Sequence, residues 1–462
     1  MAVLAAIGST TACSGSDSCM EEATAAWRVA STGGEDHPSV SAVAADGAGG
    51  LFLLTAPQPG LTAADDFTVE RYRATDGSLL WRRRLDGIPG PQVAATPAGE
   101  IAVPRGVLSP GQSLVTLLDA DGSTRWETDL TGDLLGSWIA ATSVSDDGTV
   151  YVAGSYAAPG DPATEAWEHG FLVARLDGST GAPLWVRTFG NESAYTDDQS
   201  TGIAVDADAN VTFVGFARGS SDFDGHVLEP DGAFAVNLRS DDGTVLWAVR
   251  PDDWTGLLPM VLPTTVPAIG TGAGGSVVLA GTKYDERDQL VSTLTALGPS
   301  GEPMWSRAIT GSIAATAVTI DPPTGDVVLT GAIYGRSDLA GDGSACAPPT
   351  FERPRTCGDL RAATGVPPPP SGGCSETQSE WRPFLAGYSF ADGLPTGTSW
   401  FVPADKSAIA TDITRAPDGL ALSVIELREN GPNSSDLLFV ADPVSTGTMT
   451  APSSRTRPPR AR

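Results

Sequence analysis

Residues 174–185 read ARLDGSTGAPLW: an alternating apolar segment, a turn carrying Asp177 and Gly181, and a second extended segment around Trp185. The same phrase returns as RYRATDGSLLW (71–81), LLDADGSTRW (117–126), LRSDDGTVLW (238–247) and TALGPSGEPMW (295–305). Trp81, Trp126, Trp185, Trp247 and Trp305 therefore recur at intervals of 45 to 62 residues. That period is too long for a solenoid hairpin and suits one four-stranded sheet per unit, the blade of a β-propeller. Turns rich in Asp or Gly between alternating segments mark each copy as an antiparallel hairpin.

A second hairpin precedes each Trp hairpin. Seven such pairs of apolar segments are found, at 39–55, 91–103, 139–154, 201–215, 266–281, 313–331 and 408–424. The sixth runs into PFLAGYSFADGLPTGTSWFV (383–402), where Trp400 takes the Trp place. The seventh has only DLLFVADPV (436–444) after it and lacks a strand, while TAAWRVAS around Trp27 is a strand without a unit. An open ring would leave two bare sheet edges, so residues 23–31 are expected to complete the unit built from 408–444. The expected fold is all-β: a seven-bladed propeller of four-stranded antiparallel blades, closed by an N-terminal strand. Its domain spans 23–444, preceded by a leader remnant and tether at 1–22 and followed by a disordered tail at 445–462.

Composition agrees with this reading. The 462 residues include 54 Gly and 36 Pro with only 18% charged residues, which favours many short turns over helices. The net charge of −28 sets 56 acids against 28 bases, of which only Lys283 and Lys406 are lysines. Such a field repels phosphate backbones and argues against nucleic acid as a partner. Its ordinary role is solubility.

The start of the chain reads as an address. AVLAAIG (2–8) is a short apolar run followed by small and hydroxylated residues, as in the end of an export signal. Thr10-Thr11-Ala12-Cys13 resembles a bacterial lipobox, with Thr10 where Leu is usual, and SGSDS after Cys13 suits a flexible tether. The resemblance implies lipidation of Cys13, an extracytoplasmic location in the periplasm or at the cell surface as an outer-membrane lipoprotein, and membrane contact through that anchor alone. Four cysteines then remain, Cys19, Cys346, Cys357 and Cys374, and in an exported chain these are disulfide candidates with three possible connectivities. Three of them fall in a Cys- and Pro-rich insertion at 335–380, the expected partner-facing loop.

Candidate chemistry is sparse. Asp206-Ala-Asp208-Ala-Asn210 has the alternate oxygen spacing of a calcium loop and Asp119-Ala-Asp121 offers half of one, but neither has the later carboxylate that completes the shell. Asp and Asn at turns ordinarily bond their own backbone, so no metal is expected. His37, His169 and His226 are placed in separate loops, the latter two in corresponding loops of consecutive units with Trp167 and Glu168 nearby. No catalytic residue and no cofactor are assigned. The repeated Trp is read as packing between blades rather than as a ligand motif.

Two family resemblances bear on this reading. The run VTFVGFARGSSDFDGHVLEPDGAFAVNLRSDDGTVLW (211–247) resembles the SBBP-type repeat of seven-bladed propellers, with Asp224 where Gly is common and Gly232 where Asp is common. LDGSTGAPLW (176–185) resembles the tryptophan-docking repeat of quinoprotein (PQQ-like) propellers, through Asp177, Thr180, Gly181 and Trp185. The second resemblance implies either a quinone enzyme or a cofactor-free relative such as the lipoprotein that assists outer-membrane protein assembly. The sialidase Asp box is excluded by register, because Trp81, Trp126 and Trp247 follow the turn Gly by four residues instead of three. The resulting expectation is a monomeric, non-enzymatic scaffold binding an unidentified protein or glycan at the cell envelope. An enzyme acting on glycans from the ring axis and an outer-membrane assembly factor are the alternatives.

Overall fold

The computed structural model describes residues 20–22, 25–30, 38–57, 66–107, 112–132, 135–159, 167–191, 199–229, 232–251, 260–261, 264–265, 267–284, 290–321, 324–339, 381–396, 399–401, 408–416, 419–428 and 431–441. These residues form a β-propeller of small, mostly antiparallel sheets arranged around a common axis. In each repeat the innermost strand carries small and β-branched residues. Side chains there must fit where several sheets converge, and a pleated, crowded surface favours such shapes.

The first sheet joins Pro38–Ala45, Gly50–Pro57, Asp66–Arg73 and Leu79–Asp86 in sequence order. A second, five-stranded sheet is built on Ile101–Val107, Gln112–Leu118 and Thr124–Asp129, its inner strand broken into Ile88–Pro89 and Ala94–Ala95. The third takes Leu135–Val144, Val150–Pro159, Trp167–Leu176 and Pro183–Asn191, then gains the hairpin Ser221–Phe223 and His226–Leu228 on its outer edge. The fourth takes Gln199–Val205, Val211–Ala217, Gly232–Leu238 and Val245–Val249. The hairpin carrying Asp224 thus belongs in sequence to the fourth unit and in space to the third.

The expectation of seven separate four-stranded sheets is corrected: the described residues form six sheets of four or more strands, besides one two-stranded ribbon. One sheet has eight strands because a single 18-residue strand, Pro303–Ile320, runs through two repeat units. Its first part pairs with Leu290–Leu297 and its second with Val327–Asp338. Gly311, at φ 116°, lets the chain bend between the two registers without a loop. Met20–Glu22 adds a parallel strand to the outer edge of this sheet, beside Ser399–Phe401.

The sixth sheet shows how the chain ends are handled. Ala408–Ala416, Gly419–Arg428 and Gly431–Ala441 are completed by Ala25–Ala30, with Trp27 opposite Phe439. Its inner strand meets the first sheet directly: Val43, Leu51, Leu53 and Tyr72 pack with Ala416 and Ala421 in one buried cluster. The densest aromatic core lies between the third and fourth sheets, where Phe171, Phe189, Phe213, Phe223 and Phe234 stack with ring centroids 4.7 to 6.4 Å apart. Phe223 explains the displaced outer hairpin, which exists to bury that ring.

Cys13, Cys19, Cys346, Cys357 and Cys374 lie outside the described residues, as do His37, most of the 335–380 insertion and the 445–462 tail. No helix among the described residues is long and apolar enough to cross a membrane.

Candidate functional site

Two sets of side chains recur with geometry that the sequence did not disclose. The outer set is built on the tryptophans. Each is the third residue of its strand and points its indole at the neighbouring repeat, where Nε1 donates to a turn carbonyl. Trp81 bonds Ala120 O at 2.8 Å, Trp126 bonds Gly178 O at 2.9 Å and Trp185 bonds Ser240 O at 2.7 Å. Trp247 bonds Pro299 O at 2.8 Å and Trp305 bonds Phe390 O at 2.7 Å.

The indole faces lie on the glycine of the same turn. Gly122, Gly181, Gly243, Gly301 and Gly393 all have φ between +70° and +84°, and a Cβ on any of them would meet the indole within 2.6 to 3.1 Å. Glycine is required twice over, for the left-handed backbone and for the close approach. The Trp repeat is thus an inter-repeat latch, and the packing reading of these residues holds.

Two further positions reinforce the latch. The residue opposite each Trp in the hairpin is Arg71, Leu117, Arg175, Asn237 or Ala296. Where it is Arg, the guanidinium donates to the same carbonyl as the indole, Arg71 to Ala120 O and Arg175 to Ser240 O. Both arginines lie over an aromatic ring of the adjacent strand, Phe52 and Tyr151 respectively. Two residues beyond Trp, Arg83, Thr128 and Arg307 donate to the carbonyl of the turn glycine.

The inner set surrounds an axial cavity of about 450 Å³, lined by the inner strands of all six sheets. Its walls are mainly small apolar and hydroxylated residues, with Gln92, Asp412 and Arg415 as the largest polar groups. Two of the wall hydroxyls are used between repeats, Thr201 donating to Pro267 O and Thr316 to Ala410 O, as does Thr142 behind the wall, donating to Ala102 O. Gln92 reaches past the third sheet, donating Nε2–H to Ile203 O and accepting Ile203 N–H at Oε1. Asp412 accepts Val43 N–H at Oδ2 and Ile413 N–H at Oδ1. Arg415 pairs with the buried Asp321 carboxylate at 3.1 Å. The titratable groups here are committed to backbone or to one another.

The sequence candidates are dispersed. Asp206 Oδ1 accepts N–H bonds from Asp208 and Asn210, the backbone-capping geometry that Asp46 shows with Ala48 and Gly50. Burial raises the Asp206 carboxyl above its ordinary range despite those donors. Asp121 caps Ser123 through backbone N–H and hydroxyl, and Asp119 pairs with Arg125. Both turns therefore follow the plain hairpin reading. The placement of two histidines in loops is corrected: His169 lies inside the strand Trp167–Leu176, opposite Ala157 and Asn191, and His226 opens the strand His226–Leu228 on an exposed outer hairpin. Strand pairing absorbs both because the third sheet is extended to ten-residue strands and then augmented.

Reasoning from the sequence missed Gln92, Asp412, Arg71 and Arg175. Their signal was present: aligning the repeats on their turns places polar residues where most other copies carry Ala, Gly or Leu.

Comparison with known proteins supports the architecture. Residues 65–247 match the family model described as outer membrane protein assembly factor BamB, a stretch that begins before the first Trp hairpin and ends on Trp247. No curated protein matches the chain. Among solved structures, the RRP9 WD40 repeats superpose with a TM-score of 0.50 at 8% identity, covering 91% of this chain and 99% of theirs. The quinohemoprotein alcohol dehydrogenase from Comamonas testosteroni gives 0.46 at 11% identity, covering 90% and 76%. At such identities the RRP9 likeness speaks for the propeller fold alone. The family match adds a likeness to quinoprotein-type propellers over residues 65–247.

Proposed function

We propose that this protein is an exported, non-enzymatic propeller scaffold of the cell envelope that holds a protein partner on the loops of one ring face, in the manner of an outer-membrane assembly factor. The observation that carries the reading is the family match over 65–247, a range that holds the first four latch tryptophans and three complete latches. A ring latched at five of its joints presents its loops on a rigid frame, which lowers the ordering cost of binding. The commitment of the axial acids to backbone and ion-pair contacts supports binding over catalysis. Lipidation at Cys13 and the partner-facing role of 335–380 belong to the same proposal.

In the native host, deletion of the gene is expected to lower the amount of assembled outer-membrane proteins, and crosslinking through the 335–380 loop is expected to capture an envelope protein. Unchanged assembly together with no crosslinked envelope protein would overturn the scaffold reading. Radiolabelled acyl chains should enter the wild-type protein and not the Cys13→Ala variant; labelling that persists in the variant refutes the anchor.

A further inference from the structure

Each inner hairpin turn is opened by one residue whose N–H closes the turn, such as Asp46, Thr96, Ser145, Asp206, Gly272 or Asp321. The residue four places before it is Ala42, Ala141, Gly202, Ala268 or Ala317 in five repeats. In the other two it is Gln92 and Asp412, the latter four places before Ala416. Both exceptions do the same work. Gln92 Oε1 accepts the N–H of Ile203, the residue after Gly202, and Asp412 Oδ2 accepts the N–H of Val43, the residue after Ala42. Each joins its strand to another sheet through a side-chain oxygen, and a Cβ on Gly202 would crowd Gln92 Oε1 at 3.3 Å. The two differ in one respect: an amide does not titrate and a carboxyl does.

Asp412 stands where the end of the chain meets its beginning. One residue pair further along, Ala45 N–H donates to Thr414 Oγ1, so two side chains of the last inner strand bond the first. We propose that Asp412 makes this closing seam proton-dependent, tight while the carboxyl is protonated and looser once it ionises, whereas the Gln92 bridge is indifferent to pH.

The surroundings favour the neutral form. Val43, Ala44 and Ala45 from the first sheet and Thr316 to Thr319 from the eight-stranded sheet bring no charge. Of the charged groups on the elements packed around, Arg415 is engaged by Asp321, Asp46 by Arg71, and Glu70 by Arg82 and Tyr72. Arg382 lies buried on the adjacent Trp381–Tyr388 strand, and Glu426 and Arg428 fall at the far end of Gly419–Arg428. Desolvation deep in the ring pushes the Asp412 carboxyl up to about 7, against the pull of its two backbone donors. Because the folded chain holds this proton more tightly than the unfolded chain, the contribution to stability is complete below the ordinary carboxylate range. It is lost as pH rises to about 7 and stays lost above. A single carboxyl limits the slope to the one-proton value of about tenfold per pH unit.

Hydrogen–deuterium exchange on the full chain, corrected for intrinsic rates, tests this directly. Between pH 5 and 7, protection of peptides covering 40–46 and 408–416 is expected to fall severalfold, while peptides covering 200–205 at the Gln92 bridge keep theirs. In Asp412→Asn, which gives the seam the chemistry of the bridge, the fall should vanish. Seam and bridge that change alike in the wild type, or a slope that survives in Asp412→Asn, would overturn the proposal. Should the variant not fold, the wild-type comparison of seam with bridge decides alone.

Discussion

The joints between consecutive repeats and the joint between the last and first sheets solve the same problem with different chemistry. Five joints use an indole N–H, a left-handed glycine and a turn carbonyl, none of which titrates near neutrality. At the closing joint the last sheet borrows Ala25–Ala30 from the other end of the chain and bonds the first through Asp412 and Thr414. Joints that follow one another along the chain can be made by copying a hairpin. A joint between chain ends has no covalent neighbour to copy, and relies on long-range pairing whose loop-closure entropy is large.

The largest way to break this contrast is to remove a latch outright. Trp126 is 7% exposed, and Trp126→Ala deletes both its packing and its bond to Gly178 O. A loss of about 3–5 kcal/mol is expected, as for large aromatic truncations in cores, read from the denaturant midpoint. Trp126→Phe keeps most of the packing and loses the N–H, so it should cost about 1 kcal/mol. A latch that is merely apolar contact would show no such separation between ring and donor.

Arg71→Ala comes next. The Asp46 carboxylate is wholly buried, and Arg71 NH2 is its ion-pair partner at 2.6 Å. The same guanidinium covers Phe52 and bonds Ala120 O. Removing it strands a buried charge, and about 3 kcal/mol is expected. Arg175→Ala should cost clearly less, because the contacts it shares with Arg71 are the ring and the carbonyl, without a buried carboxylate. Equal losses for the two would mean that the carboxylate contributes nothing.

Gly181→Ala sharpens the comparison on the receiving side. At φ +72° an alanine is strained, and its Cβ would sit 2.6 Å from the Trp126 indole and from Thr128 Oγ1. Together these should cost about 2 kcal/mol. The same change at Gly225, equally left-handed but with open space around its Cβ, should show the backbone cost alone.

These positions also mark what was legible in the chain. The Trp hairpins could be read because Asp-Gly turns and a fixed Trp place are local signals. The acceptors could not, since Ala120 O and Phe390 O are backbone atoms 39 and 85 residues away, defined by fold closure and not by side-chain type. The shared strand Pro303–Ile320 was hidden for the opposite reason: Gly311 sits where a loop is expected, and extended pairing continues through it. His169 misled because the polar end of a long strand, Trp167–Leu176, looks like a loop in sequence. Asp412 was overlooked because a lone acid in an apolar segment acquires meaning only when its repeat-mates are seen to be Ala and Gly.

The smallest effect tests whether the latch has a reserve. In three repeats the residue two beyond Trp donates to the turn glycine, yet Arg187, which holds that place after Trp185, turns away to Asp224. Asp224 adopts φ +54°, a conformation that glycine takes freely, and its pair with Arg187 is partly exposed, 31% and 39% for the two side chains. Asp224→Gly relieves the backbone, removes an ion pair worth about 0–1 kcal/mol and adds freedom to the unfolded chain. The terms nearly cancel, so stability should move by less than about 0.5 kcal/mol. The geometry should move instead: Arg187, whose Cγ already lies beside Gly243, is expected to swing onto the Gly243 carbonyl as Arg307 does on Gly393. A crystal structure of the variant with Arg187 still directed outward would show that the third latch is complete without it.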